Sequence, residues 1–199
     1  MTEAHWPGLL TRLEGERVVL EPIAPAHEAG LRAVTDDARV WRWIYPDLSF
    51  DDWFAAALHV AETGAEAPFA TIERASGEVI GSTRYLALRK VHRGLEIGWT
   101  FLAPGAWGTG ANVEAKLLML RHAFDDLDCV RVEFKTHAAN ERSRAALAAL
   151  PAQFEGVFRK HMLVPGLGVR DSAYYAIVDD DWPAVRENLE RRLEAHAAA

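Results

Sequence analysis

The apolar run Val18–Leu20 within "ERVVLEP", Glu16 to Pro22, begins with two β-branched valines, is flanked by charged residues, and reads as a strand. From Pro25 the spacing in "PAHEAGLRAVTD" becomes helical, with proline at the helix start. The next stretch, "SFDDWFAAALHVAETG", has Ser49 as N-cap, acidic residues in the first turn and Gly64 as terminator, and predicts a second helix. "APFATIER" and "EVIGSTRYLAL" are rich in strand formers and joined by "ASGE". With "RGLEIGWTFL" they predict a three-strand antiparallel meander. "PGAWGTGANVEAKLLMLRHAF", Pro104 to Phe124, passes from a glycine-punctuated turn into an apolar helix with no loop between. The strand "CVRVEFKT", a helix from about Asn140 to Leu150, strands near Phe154–Val164 and Val169–Val178, and a helix from about Trp182 complete the order. The class is mixed α/β (α+β). No linker, repeat or low-complexity tract breaks the pattern, so residues 1–199 read as one domain, with the alanine-rich end "LEAHAAA" predicted to fray.

Composition narrows the function classes. With 199 residues, half of them hydrophobic, the chain suffices for one well-buried core. A formal charge of −7 without a Lys/Arg block argues against nonspecific nucleic-acid binding, which rests on neutralising phosphates. The start "MTEAHWPGLL" has no basic segment leading into an apolar one, and no apolar run approaches a membrane span, so a cytoplasmic protein without membrane partner is expected. Cys129 reads as a small buried hydrophobe rather than a nucleophile. His92, His122, His137 and His161 are scattered with no HExxH, so no metal site is expected. Glu114 and Lys116 read as a solvated helix face, and Arg121 and His122 suit a helix C-terminus. Trp41, Trp43 and Tyr45 are equally compatible with core and with groove lining.

Gly105, Gly108 and Gly110 stand directly before a helix. Glycine permits positive φ and close approach, so the free N–H groups of the first turn can converge on an anion. A dinucleotide fingerprint starting at Gly108 fails because Val113 occupies its third glycine, and the Gly-Lys-Ser/Thr of a phosphate-binding loop never occurs. On the glycines alone, a tight ligand-free connection competes with an anion cradle. "NERSRAALAAL" adds a second helix start, with Asn140 as N-cap and Ser143 one turn on. Both helices follow strands, so their N-termini can lie at one end of the sheet and grip one long ligand.

At this point the sequence resembles the GCN5-related N-acetyltransferases, and within them the branch that includes bacterial ribosomal-protein N-terminal acetyltransferases. The resemblance covers nearly the whole chain, through "RVVLEP", "LEIGWTFL", "WGTGANVEAKLLMLRHAF", "VRVEFKTHAANERSRAAL", "FEGVFRKHMLV" and "RDSAYYAIVDDDWP". It implies a mixed, bent central sheet of about 6–7 strands flanked by helices, with a glycine turn cradling the pyrophosphate of acetyl-CoA and direct attack of an amine on the thioester. The family's pattern of Arg or Gln, two residues, Gly, one residue, then Gly or Ala falls on Trp107, Gly110 and Asn112. Trp107 has no guanidinium or amide to offer, and Asn112 stands where a small residue suffices. Cofactor contacts are therefore expected from Gly108, Thr109, Gly110, Ala111 and Asn112, with Trp107 covering part of the cofactor. Asn140 and Ser143 are added from the second helix. Pro151 replaces a glycine usual after that helix, and ends it by another route.

By the same resemblance, Trp99, Phe101 and Leu102 lie beside the pantetheine arm, and a backbone N–H there stabilises the developing oxyanion. Glu96 is the candidate general base; the alternative is a solvent-facing strand residue paired with Arg84 or Arg93. Ser143 is the candidate acid for the departing thiolate, with Tyr174 or Tyr175 as alternatives. Adjacent strand residues point to opposite faces, so at most one tyrosine enters the cleft. The acceptor is an amine. A protein N-terminus, a free small molecule and a noncatalytic acyl-CoA-binding module are the competing readings, and a homodimer is compatible with the resemblance. An α-amine, with a pKa of about 7.7–8.0, needs less help from a base than a lysine at about 10.4.

Overall fold

The computed structural model describes residues 6–44 and 47–197. Within these residues eight strands form one sheet: β1 (Leu13–Glu14), β2 (Val18–Pro22), β3 (Ala67–Glu73), β4 (Val79–Arg89), β5 (Gly94–Leu102), β6 (Arg131–His137), β7 (Gln153–Val164) and β8 (Gly168–Val178), in the order β1-β2-β3-β4-β5-β6-β8-β7. The expectation of six or seven strands is one short, because Leu13–Glu14 folds back to pair with Val19–Leu20 before the first predicted strand begins. The β3-β4-β5 meander is antiparallel as the turns predict.

The helices are α1 (Glu28–Thr35), α2 (Ala38–Trp41), α3 (Phe50–Thr63), α4 (Ala111–Arg121), α5 (Glu141–Ala149) and α6 (Trp182–Ala197). Local chemistry sets their ends. The Asp52 N–H donates to Ser49 Oγ at 3.1 Å to start α3, and Gly64 ends it at φ 71°. Asn140 Oδ1 accepts the Ser143 N–H at 3.2 Å and starts α5.

The helices cover both faces of the sheet. On one, α4, α5 and α6 bury Leu120, Leu147 and Leu189 against Leu95, Phe134 and Tyr175. On the other, α1 to α3 bury Leu31, Val40 and Trp53 against Ile23 and Phe101. The solvated face expected of Glu114 and Lys116 does not exist. Every residue from Glu114 to Leu120 is buried, because α4 is enclosed on all sides by the sheet, the N-terminal segment and α6. Glu114 accepts the N–H groups of Glu16, Arg17 and Val18 at 3.1, 2.7 and 2.7 Å, so its carboxylate ties α4 to the β1–β2 turn. Gly15 is required there: a Cβ would meet Glu114 Oε2 at 2.3 Å.

Candidate active site

The feature that makes a site is a gap in the sheet. Among the described strands β5 and β6 are the one parallel pair, and they pair only through Gly94–Arg131, Leu95–Val132 and Glu96–Glu133. Beyond that point β5 stays with β4 and β6 stays with β8, so the two strands part like a V. A cavity of about 530 Å³ fills the opening, lined by Glu96 to Leu102 on one side and Phe134 to His137 on the other. Its size falls in the range of small-molecule sites. From the apex at Glu96 it extends to Gly108, Gly110, Asn112, Asn140 and Ser143, so both helix starts meet one cavity.

A bulge shapes the β5 wall. Ser82 pairs with Phe101 and Arg84 with Gly98, so Trp99 and Thr100 together face Thr83. Trp99 takes φ 49°, which drops one residue out of the ladder, as bulges beside functional sites do.

Glu96 is buried and meets Lys135 Nζ at 3.3 Å. It is neither solvent-facing nor bonded to Arg84, which pairs with Glu66 at 2.7 Å, or to Arg93, which pairs with Asp128. Burial raises the Glu96 pKa, the Lys135 ammonium opposes this, and the nearby Glu133 charge adds to the rise.

The glycine turn is held by its own bonds. Gly108 and Gly110 take φ 78° and 90°, and Gly110 caps α4 from the left-handed region. The Thr109 hydroxyl donates to Ala106 O at 2.9 Å and accepts from the Ala111 N–H at 3.4 Å, so Thr109 and Ala111 brace the turn and do not line the cavity. Asn112 does line it, and its Oδ1 is buried without a partner. Trp107, Trp99, Phe101 and Leu102 are all at the cavity wall.

Ser143 reaches the cavity, whereas Tyr174 lies on the face of Lys135, with Nζ 5.9 Å from its ring and its hydroxyl 3.3 Å from His161 Nε2. Tyr175 points to the opposite face, where its hydroxyl accepts from Arg144 Nε at 3.2 Å. The aromatic cluster divides likewise. Trp41 packs edge-on to Trp53 and Phe101 in the core, Trp43 lines the cavity 5.1 Å from His137, and Tyr45 lies outside the described residues. Cys129 is buried, which pushes its thiol up to about 12 and suits a packing role.

Among the cavity residues that sequence reasoning did not assign to a site are three cations, Lys116, Lys135 and Arg142. Lys116 is buried, and its Nζ donates to Thr100 Oγ1 at 2.6 Å and Thr83 Oγ1 at 3.3 Å. Burial alone lowers its pKa to about 7. A signal was present, since Lys116 is three residues after Val113 and four before Leu120, on the apolar face of α4.

A model of the acetyltransferase (GNAT) domain matches residues 17–152. A crystal structure from T. thermophilus, assigned as an acetyltransferase, is 38% identical with a TM-score of 0.80, covering 92% of this chain and 96% of that one. The uncharacterised N-acetyltransferase YoaA of Bacillus subtilis (strain 168) is 28% identical over 174 residues, 83% of this chain and 96% of that one. Mycobacterium smegmatis RimJ, solved in complex with CoA-disulfide, shares the fold at 22% identity and a TM-score of 0.81, covering 95% of this chain and 97% of that one.

Proposed function

The chain belongs to the acetyltransferase (GNAT) family, and from that membership we propose that it transfers acetyl directly from acetyl-CoA to a primary amine, with a protein or peptide N-terminal α-amine as acceptor. The observation that carries this reading is the cavity in the β5–β6 opening, with a buried carboxylate at its apex and a glycine turn at its far end. The turn fits a pyrophosphate: two left-handed glycines open backbone toward the cavity, and the orphaned Asn112 amide presents a donor once rotated. The RimJ structure that shares this fold holds CoA-disulfide, which supports a CoA thioester as the cofactor here.

Bound acetyl-CoA supplies an activated thioester carbonyl; the protein's residues do the rest. Gly108, Gly110 and Asn112 would hold the pyrophosphate, and Asn140 and Ser143 would border the arm. A backbone N–H freed by the β5 bulge at Trp99–Thr100 would serve as the donor that stabilises charge developing on the carbonyl oxygen. Glu96 takes the proton of the attacking amine, directly or through water, and its raised pKa makes it a stronger base than an exposed glutamate. An α-amine matches this base better than a lysine side chain does, because a larger fraction of it is already neutral near pH 7. Ser143 is assigned the proton for the departing thiolate because it lines the cavity; Tyr174, beside Lys135 and His161, is the alternative.

Acetyl-CoA is incubated with the protein and a library of free and N-blocked peptides alongside small amines, and products are read by mass spectrometry. Acetylation confined to free N-terminal α-amines is the expected result. Modification of small amines alone moves the acceptor to the small-molecule class. No product from any amine, with CoA still bound, leaves a noncatalytic binding module.

A further inference from the structure

Trp107 follows the short turn Pro104–Ala106 at the mouth of the cavity, and its Nε1 donates to Leu102 O at 2.9 Å, which fixes the plane of the indole. Two guanidiniums lie over that ring. The Arg142 carbon is 4.0 Å from the ring centroid and the Arg39 carbon 5.6 Å. Their electrostatic situations differ. Arg39 is tied to Asp37 through Nε at 2.9 Å and Nη2 at 2.6 Å, so its charge is spent locally. Arg142 has no carboxylate within ion-pair distance among the described residues.

Arg142 is the second residue of α5, two positions after the Asn140 cap, and it lines the cavity together with Trp107, Gly108 and Gly110. A guanidinium that stacks by its face keeps its N–H groups in the plane, directed outward, and that fork matches two phosphate oxygens. Stacking also removes rotamer freedom from a long side chain before any ligand arrives, which lowers the entropic cost of binding.

We propose that Arg142 is the cation that binds the pyrophosphate of CoA, and that Trp107 is its positioning residue. This rests on the acetyl-CoA reading above. Trp107 stands where the family pattern has Arg or Gln; the positive charge comes from the start of α5 instead, so the two helix starts share the pyrophosphate between them.

Isothermal titration of the intact protein with CoA and with dephospho-CoA tests this. Wild type that binds neither ligand ends the acetyl-CoA reading itself, before Arg142 is at issue. With wild-type binding established, Arg142→Gln is expected to weaken both ligands roughly tenfold or more, the loss of one charge-assisted phosphate contact. The penalty is shared because dephospho-CoA keeps the pyrophosphate. Trp107→Ala should weaken CoA similarly, Trp107→Phe should restore most of the affinity by keeping an aromatic face, and the double variant Arg142→Gln/Trp107→Ala should be no worse than Arg142→Gln alone. Unchanged affinity in Arg142→Gln overturns the proposal. So does a penalty seen with CoA but absent with dephospho-CoA, which would move the contact to the 3′-phosphate. Additive losses in the double variant overturn the positioning role of Trp107. Should Trp107→Ala fail to fold, Arg142→Gln and Trp107→Phe decide the question.

Discussion

Replacing Lys116 with methionine should make this protein more stable at neutral pH and leave it less favoured in alkali. The cause is burial without a carboxylate partner: among the described residues Lys116 has the hydroxyls of Thr100 and Thr83 for company, and its pKa falls from 10.5 to about 7. In the unfolded chain the amine keeps its ordinary value, so between pH 7 and 10.5 the unfolded state holds one more proton than the folded state, and stability rises with pH. The slope rises to about 1.4 kcal/mol per pH unit once the folded-state amine is neutral, and since it is half titrated at pH 7, the wild type gains about 2 kcal/mol from pH 7 to pH 9 that the variant does not. Below pH 7 the full penalty is present, at most about 5 kcal/mol for the difference 10.5 − 7, and above pH 10.5 it disappears. Methionine fits the test because it fills a similar volume, and the two threonine hydroxyls, 2.8 Å apart, satisfy each other once the amine is gone. Urea unfolding of wild type and Lys116→Met at pH 7 and pH 9, with equal m-values as control, reads the effect; other titrating groups cancel in the difference. A stability difference equal at the two pH values, within about 0.5 kcal/mol, refutes the argument. A variant less stable than wild type at pH 7 does so as well.

The catalytic assignment predicts that Glu96→Gln lowers kcat/KM by about 10²–10⁴ while CoA affinity, read by calorimetry, stays unchanged; a weakened CoA titration would show that Glu96 serves binding instead. Because burial raises the Glu96 pKa and Lys135 opposes the rise, activity should fall as pH drops through a value above the ordinary glutamate range, and Lys135→Met should move that acid limb to higher pH in the kcat/KM profile. Gly110→Ala forces an L-residue to φ 90° with its Cβ 3.4 Å from the His196 ring, and should cost roughly 1–2 kcal/mol in urea unfolding and weaken CoA binding. Glu114→Ala leaves three N–H groups at the β1–β2 turn without their acceptor and should cost about 2–4 kcal/mol; a loss under about 0.5 kcal/mol would mean water replaces the carboxylate.

The chain's local signals were strong where the physics is local. Ser49, Gly64 and Asn140 fix helix ends through bonds to groups within a few residues, and the runs of strand formers around Val19 and Phe69 mark strands whichever partner they find, although both are buried on consecutive residues rather than alternately. The glycine turn was legible for the same reason, since Gly108 and Gly110 adopt a backbone that other residues resist. Long-range placement was not legible. In "ANVEAKLLML" the spacing of Lys116 from Val113 and Leu120 hints at an inward face, but no neighbouring residue says what would enclose a charge there, so Glu114 and Lys116 read as surface until the β1–β2 turn and the Thr83–Thr100 pair closed over them. Likewise, Glu96 and Lys135 are 39 positions apart, and become an ion pair only because β5 and β6 run parallel to that point and then diverge. The opening that makes the cavity, and the Arg142 guanidinium laid on Trp107 at its mouth, are products of tertiary packing. Helix caps and strand-forming runs are written in neighbouring residues; burial, pairing and the shape of a cleft depend on which distant segments the fold brings together.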